Sequence, residues 1–256
     1  ERSGTLEHKP GALAGKTALI TGSGRRIGAC IADHLHLAGM NLVLHHRASS
    51  AEAGALCADF NARRPGSAST VAADLTGVAA LPELVEHTLS CFGRLDALIN
   101  NASTFYPTPV GAVTEKQWED LMGANLKAPF FLSQAAAPAL DVRNGAIVNI
   151  VDIYADRPLD EHPVYSAAKA GLAMLTRSLA RELGPNVRVN GVSPGAILWP
   201  EQGQSSNDQA RILNRTPLAR CGEPADIARA VRFLLADAPY VTGQIIAVDG
   251  GRSTSM

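Results

Sequence analysis

The stretch Lys16 to Thr21 (KTALIT) runs apolar into Gly22, crosses Ser23-Gly24-Arg25-Arg26-Ile27-Gly28, and enters a helix-periodic segment that stops at Gly39. Ile27, Ile31, Leu35 and Ala38 mark the apolar face of that segment. A strand, a glycine-bearing turn and a helix in direct succession leave few solutions. The helix crosses back over the sheet and the next strand lies parallel to the first. Glycines let the backbone of such a turn come close to a phosphate, while the helix N-terminus offers unpaired N–H groups and a positive dipole end. An ordinary tight turn is the alternative for this segment alone.

The rest of the chain repeats the scheme. Apolar runs at Asn41 to His46, Ser67 to Ala73, Leu95 to Ile99, Ala146 to Val151, Val187 to Val192 and Gln244 to Val248 read as strands. Between them lie helical stretches. One runs from Ser50 to Arg64, one to Phe92 before Gly93, and a long one opens on the capping-box signature Thr114-Glu-Lys-Gln117. Another carries Tyr165 and closes at Gly184-Pro185, and the last runs from Glu223-Pro224 to Ala236. The alternation predicts a single-domain α/β fold, a Rossmann-type doubly wound parallel sheet of about seven strands with helices on both faces. In that arrangement ligands bind at the carboxyl ends of the strands, where Gly22, Asn100, Asp152 and Pro194 all fall.

Residues 1–14 read as a flexible tail lacking the apolar centre of a secretory signal, residues 15–256 as the domain, and 197–215 as a polar substrate flap. Net charge is −1, which gives no global reason to expect nucleic acid. No apolar run approaches the roughly 20 residues of a membrane span. Cys30, Cys57, Cys91 and Cys221 are scattered without a C-x-x-C, which predicts reduced thiols and a cytoplasmic location. The histidines form no metal motif, so no metal is expected. His45 and His46 would point to opposite faces of their strand.

Two segments carry chemistry. Asp152 ends the fifth apolar run, and Tyr165 and Lys169 stand four apart in an Ala-rich helical stretch. That spacing stacks a phenol and an ammonium on one helix face. A nearby cation favours the phenolate, so the pair predicts a proton donor with a lowered pKa; in isolation it could equally be a chance surface pair. At the end of the second strand, where an acid would read a ribose 2′-hydroxyl, stand His45, His46 and Arg47, followed by Ser49. Cations and hydroxyls there suit a 2′-phosphate, so NADPH/NADP+ is expected over NADH/NAD+. Asp74 either accepts from an adenine amino group or caps the next helix. Phe105 and Tyr106, beside prolines in a loop leaving a strand, either lie against a flat heterocycle or pack under the loop. Asn125, in an apolar helix segment, either braces the backbone or holds a water near the site.

Taken together, T-G-x-x-x-x-I-G, Asn100-Asn101-Ala102, Asn125, Tyr165-x-x-x-Lys169 and Pro194-Gly195 resemble the short-chain dehydrogenase/reductase family from Gly15 to Gly251. Two departures are informative: Arg26 replaces the usual second glycine of the turn, and Asp152 replaces the usual catalytic serine. With Asn101-Ala-Ser-x-Phe105-Tyr-Pro107, His45-His-Arg47 and Asn61-Ala-Arg-Arg-Pro65, they resemble the pteridine reductases of that family.

The resemblance implies NADPH-dependent reduction of a dihydropterin or dihydrofolate, and of oxidised pterins. It implies catalytic roles for Asp152, Tyr165, Lys169 and Asn125. Cofactor contacts would come from Gly22, Arg26, Ile27, Gly28, His46, Arg47, Ser49, Asp74, Leu75, Asn101, Ala102, Ser103, Tyr165, Lys169, Pro194 and Gly195. Substrate contacts would come from Arg26, Ser103, Phe105, Asp152 and Tyr165, with Phe105 against the pterin ring. Lys169 would hold the ribose and lower the tyrosine pKa. A homotetramer is implied, with neither nucleic acid nor membrane as partner. The competing readings are a carbonyl reductase of 3-oxoacyl or sugar-alcohol type, and a silent NADPH-binding sensor.

Overall fold

The structure is a computed structural model that describes residues 11–198 and 206–255. Seven strands form one sheet: β1 Thr17–Ile20, β2 Asn41–His46, β3 Ala68–Ala72, β4 Ala97–Asn100, β5 Ala146–Ile150, β6 Arg188–Pro194 and β7 Ile245–Val248. All pairings are parallel, in the order β3-β2-β1-β4-β5-β6-β7. Chain direction along the sheet reverses between β1 and β4, which opens a crevice at their carboxyl ends.

The helices are α1 Arg26–Leu37, α2 Ser50–Arg63, α3 Leu81–Phe92, α4 Glu115–Met122, α5 Ala128–Asp141, α6 Pro163–Glu182, α7 Ser206–Asn214 and α8 Pro224–Ala236. Strand alternation decides which helix covers which face. Ala18, Ile20, Leu42, Leu44, Val148 and Ile150 point into one core with α1, α2 and α8. Leu19, Val43, Leu98 and Ile147 point into the other, with α3, α5 and α6. Every residue of β1, β4 and β5 is buried, so these strands read as unbroken apolar runs.

Two expectations need correction. Leu13 is 3% exposed and belongs to the core, and the Gly15 amide bonds the Gly39 carbonyl. Leu13 is therefore part of the folded domain rather than of a tail, and residues 1–10 lie outside the described residues. The long helix opened by Thr114 does have the expected capping box, but it is interrupted. A π-turn, Gly123–Lys127, separates α4 from α5. The Asn125 side chain donates to the Leu121 carbonyl at 2.9 Å, taking an acceptor that a regular helix would use for its own amide. Of the flap expected over 197–215, residues 199–205 lie outside the described residues, and the segment that follows is helical, α7.

Candidate active site

Thr21 joins the two strand ends that face each other across the crevice. Its hydroxyl accepts from the amides of Asn101 and Ala102, each at 3.0 Å, and donates to the Ile99 carbonyl. The Asn101 side chain donates to the carbonyls of Thr21 and Gly22, both at 2.9 Å. Gly22 has φ 62° and lies so near Ala102 that an added Cβ would come within 2.9 Å of its Cα. At Gly28 a Cβ would sit 2.3 Å from the Gly22 carbonyl oxygen. These two positions demand glycine for different reasons, backbone hand and close approach. Arg26, at the position where the resemblance leads one to expect glycine, is also in the left-handed region at φ 51°. For a residue with a Cβ this conformation is strained.

His45 locks the same turn. Its Nδ1 accepts from the Gly22 amide at 3.1 Å, which leaves Nε2 to donate to the Ala73 carbonyl at 3.1 Å. Burial lowers its pKa to about 4, so the imidazole is neutral at physiological pH. His45 lines the crevice and His46 does not, because strand alternation sends them to opposite sides. The expected contact from His46 is thus corrected: its ring is buried on the other face, with Nδ1 unpartnered among the described residues.

A cavity of about 580 Å³ fills the crevice. Of the residues expected at a cofactor site, Gly22, Arg26, Ile27, Gly28, Arg47, Ser49, Asp74, Leu75, Asn101, Ala102 and Ser103 line it. Arg25 joins them unforeseen, paired with Glu52. The first turn of α1 has no acidic residue, and three arginines face one carboxylate in the lining. That balance fits a polyanion laid across a helix N-terminus. Asp74 caps no helix; its Oδ1 accepts from the Thr76 amide and hydroxyl. Pro194 and Gly195 end β6 on the same sheet edge but do not line the cavity. A Cβ on Gly195 would meet Asp249 at 2.6 Å, so packing against the β7 exit explains that glycine.

Beyond the Ser103 end of the cavity lie the acid, the phenol and the amine. Asp152 Oδ2 accepts from the Tyr165 hydroxyl at 2.7 Å. Its Oδ1 accepts from the Tyr154 amide at 3.0 Å, capping a short 3-10 turn, Ile153–Ala155. Pro163 starts α6 with a residue suited to a first turn, so Tyr165 and then Lys169 project from successive turns. Lys169 is 2% exposed, and its Nζ donates to the Ile150 carbonyl at 2.9 Å.

The electrostatics of the three are coupled. Burial raises the Asp152 pKa against the opposing pull of its hydrogen bonds and of Lys169. Burial lowers that of Lys169 to about 8, with Asp152 acting the other way. The Tyr165 phenol is pushed well above its usual range, first by burial and then by Asp152. The expected lowering by Lys169 is therefore corrected. The ammonium lies over the ring face, 5.7 Å from its centroid, and does not outweigh the low-dielectric surroundings. Asp152 and Tyr165 hold their protons more tightly than usual, while Lys169 holds its own less tightly.

The loop after β4 divides its two aromatic residues. Tyr106 packs under the loop, its hydroxyl donating to Asp120 Oδ2 at 2.9 Å. Phe105 is 55% exposed, edge-on to Tyr165 at 4.8 Å between centroids and stacked on His162 at 4.7 Å. Asn125, fully buried in the π-turn, fixes this loop. Its amide donates to the Thr104 carbonyl at 2.9 Å, and its oxygen accepts from the Ser103 hydroxyl at 2.6 Å. None of its bonds goes to Asp152, Tyr165 or Lys169, so of the two expectations bracing is the one observed. Reasoning from sequence missed His162, which no spacing connects to Phe105. It also missed the bracing role of His45, for which the only signal was a polar residue inside an apolar run.

Comparison with known proteins agrees with this geometry. A family model of short-chain dehydrogenase type, described as enoyl-(acyl carrier protein) reductase, matches residues 22–253. Pteridine reductase 1 of Leishmania tarentolae is 39% identical, over 92% of this chain and 96% of its own. The 3-oxoacyl-[acyl-carrier-protein] reductase FabG of Staphylococcus aureus is 35% identical, over 92% and 97%. An uncharacterized oxidoreductase of Methylorubrum extorquens is 36% identical, over 93% and 98%. With a parallel seven-stranded sheet, a glycine turn at its switch point and Tyr165 and Lys169 on one helix, the chain belongs to the short-chain dehydrogenase/reductase family of nicotinamide-dependent oxidoreductases.

Proposed function

We propose that this enzyme uses NADPH to reduce pteridines, taking dihydropterin or dihydrofolate to the tetrahydro form and accepting oxidised pterins. The observation that carries the reading is Asp152, a buried carboxyl group 2.7 Å from the Tyr165 hydroxyl, in the place where the family usually has serine. A ketone oxygen needs a hydroxyl donor. A pterin edge presents ring nitrogens and an amino group, and a carboxyl group can accept from the one and pass a proton to the other. The identity to a pteridine reductase supports the same choice.

The residues present fit the dinucleotide. The α1 N-terminus and Arg26 would hold its pyrophosphate, and Arg47 and Ser49 the 2′-phosphate. Lys169, outside that lining and bonded to the Ile150 carbonyl, would hold the nicotinamide ribose as the family resemblance implies. When bound, the reduced nicotinamide supplies a hydride. The chain's own groups do the rest. Phe105 offers an exposed ring face to a flat heterocycle, and Asn125 holds the loop that carries it. Asp152 and Tyr165 share a short hydrogen bond, and the proton lost from this pair goes to the reduced ring nitrogen. Lys169 beside them stabilises the negative charge left behind. The assembly we propose is a cytoplasmic homotetramer. Among the described residues no helix is long and apolar enough to cross a membrane.

The staphylococcal relative favours a second reading, reduction of a 3-oxoacyl thioester. Parallel assays with 7,8-dihydrobiopterin, dihydrofolate and a 3-oxoacyl thioester separate the two. Turnover of the pterins is expected, and turnover of the thioester alone would reverse the assignment.

A further inference from the structure

Arg252 is 8% exposed although it lies close to the end of the chain. A turn after β7 carries it inward. Asp249 accepts from the Gly251 amide at 2.9 Å and from the Ser253 amide at 2.7 Å, and Gly250 and Gly251 take φ values of 65° and 84°. The turn aims the guanidinium at Tyr154. Nη2 donates to the phenol oxygen at 3.3 Å, and the guanidinium carbon lies 5.9 Å from the ring centroid. Tyr154 packs with Leu121, Val164 and Tyr165, and its own amide holds Asp152 Oδ1. A chain of contacts thus runs from the turn after β7 to the acid.

The cost of this arrangement calls for a reason. Burying a guanidinium is unfavourable unless it is paired, and Arg252 forms no ion pair among the described residues. Its Nε is buried with no hydrogen-bond partner among the described residues. Asp152 is a carboxylate that feels its charge. The groups facing Asp152 are Tyr154 on its own turn, Tyr165 and Lys169 from α6, and Arg252 from the C-terminal turn. Burial favours the protonated acid, and the two cations favour the ionised form left once a proton has gone.

We propose that Arg252 is a positioning residue for the acid, fixing the Tyr154 turn that orients the Asp152 carboxyl group and supplying a charge that stabilises its ionised state. The role rests on Asp152 being the proton source. It does not depend on which substrate receives the proton.

The test titrates Asp152 directly. Carbon-13 NMR of aspartate-labelled resting enzyme, assigned with Asp152→Asn, gives the midpoint without any substrate. In Arg252→Gln the midpoint should rise by about half a pH unit or more, as expected for loss of a nearby cation. Arg252→Lys should restore part of the shift. A midpoint in Arg252→Gln that coincides with the wild-type value overturns the proposal. If Arg252→Gln does not fold, Tyr154→Phe decides. That variant should lower kcat about threefold or more on the substrate identified by the assays above, with NADPH Kd unchanged; unaltered kcat overturns the proposal. A shifted midpoint in an enzyme that ignores pterins would sink the functional reading and leave this one standing.

Discussion

His45 makes the glycine turn sensitive to acid. Folded, its ring is neutral and uses both nitrogens, one on the Gly22 amide and one on the Ala73 carbonyl. Unfolded, it is an ordinary imidazole with a pKa near 6.5; folded, that falls to about 4. Above pH 6.5 both states are neutral and nothing is at stake. Between 6.5 and 4 the unfolded chain binds a proton that the folded one refuses, so stability falls as pH falls. At about 1.36 kcal/mol per pH unit the loss reaches about 3 kcal/mol at pH 4. Replacement by asparagine removes the titration and keeps an acceptor for Gly22, at the expense of the bond to Ala73. Urea unfolding of wild type and His45→Asn, at intervals from pH 7 to 4, isolates the effect. Wild type should be the more stable at pH 7, and the difference should shrink by about 3 kcal/mol on the way to pH 4. NADPH affinity should weaken over the same range in wild type alone. A stability difference that stays constant across the range would refute the assignment of a neutral clamp.

Replacing Asp152 by alanine or Tyr165 by phenylalanine should each cut kcat by about 10²-fold or more, the scale of a lost general acid, while fluorescence titration still finds NADPH bound. Near-normal turnover in Asp152→Ala would defeat its role. Lys169 is charged below a pKa of about 8, so kcat should decline as pH rises through that value, and a flat profile from pH 7 to 9 would count against it. Arg47→Glu puts a carboxylate where a 2′-phosphate is expected and should lower the preference for NADPH over NADH by about tenfold, or about 1.4 kcal/mol. Arg26→Gly relieves a left-handed φ of 51° and should stabilise the fold by about 1 kcal/mol while weakening NADPH binding; a lower Tm would contradict the strain.

The fold was legible because each strand is buried on both faces and therefore written as an apolar run, and because short connections leave a parallel sheet little freedom. The acid, phenol and amine were legible for a related reason. Each stands at a position that the topology alone delivers to one edge of the sheet, Asp152 at the end of β5 and the other two on successive turns of α6. What stayed hidden depends on contact between remote segments. No periodicity signals a π-turn, which arises where Asn125 takes the Leu121 carbonyl and reaches Ser103 and Thr104 on a different loop. The neutral state of His45 follows from burial and two bonds made 23 and 28 residues away, so an imidazole beside arginines read as one more cation.

The same distinction applies to chemistry. A carboxyl group at the end of β5 could be permanently ionised, permanently protonated or poised between, and the identity of residue 152 does not choose. The choice is made by how deeply the group is buried, by Tyr165 and Lys169 on α6, and by an arginine 100 positions further along the chain. Without Arg252 the acid would keep its hydrogen bond to Tyr165 but lose a counter-charge, and its proton would be given up less readily.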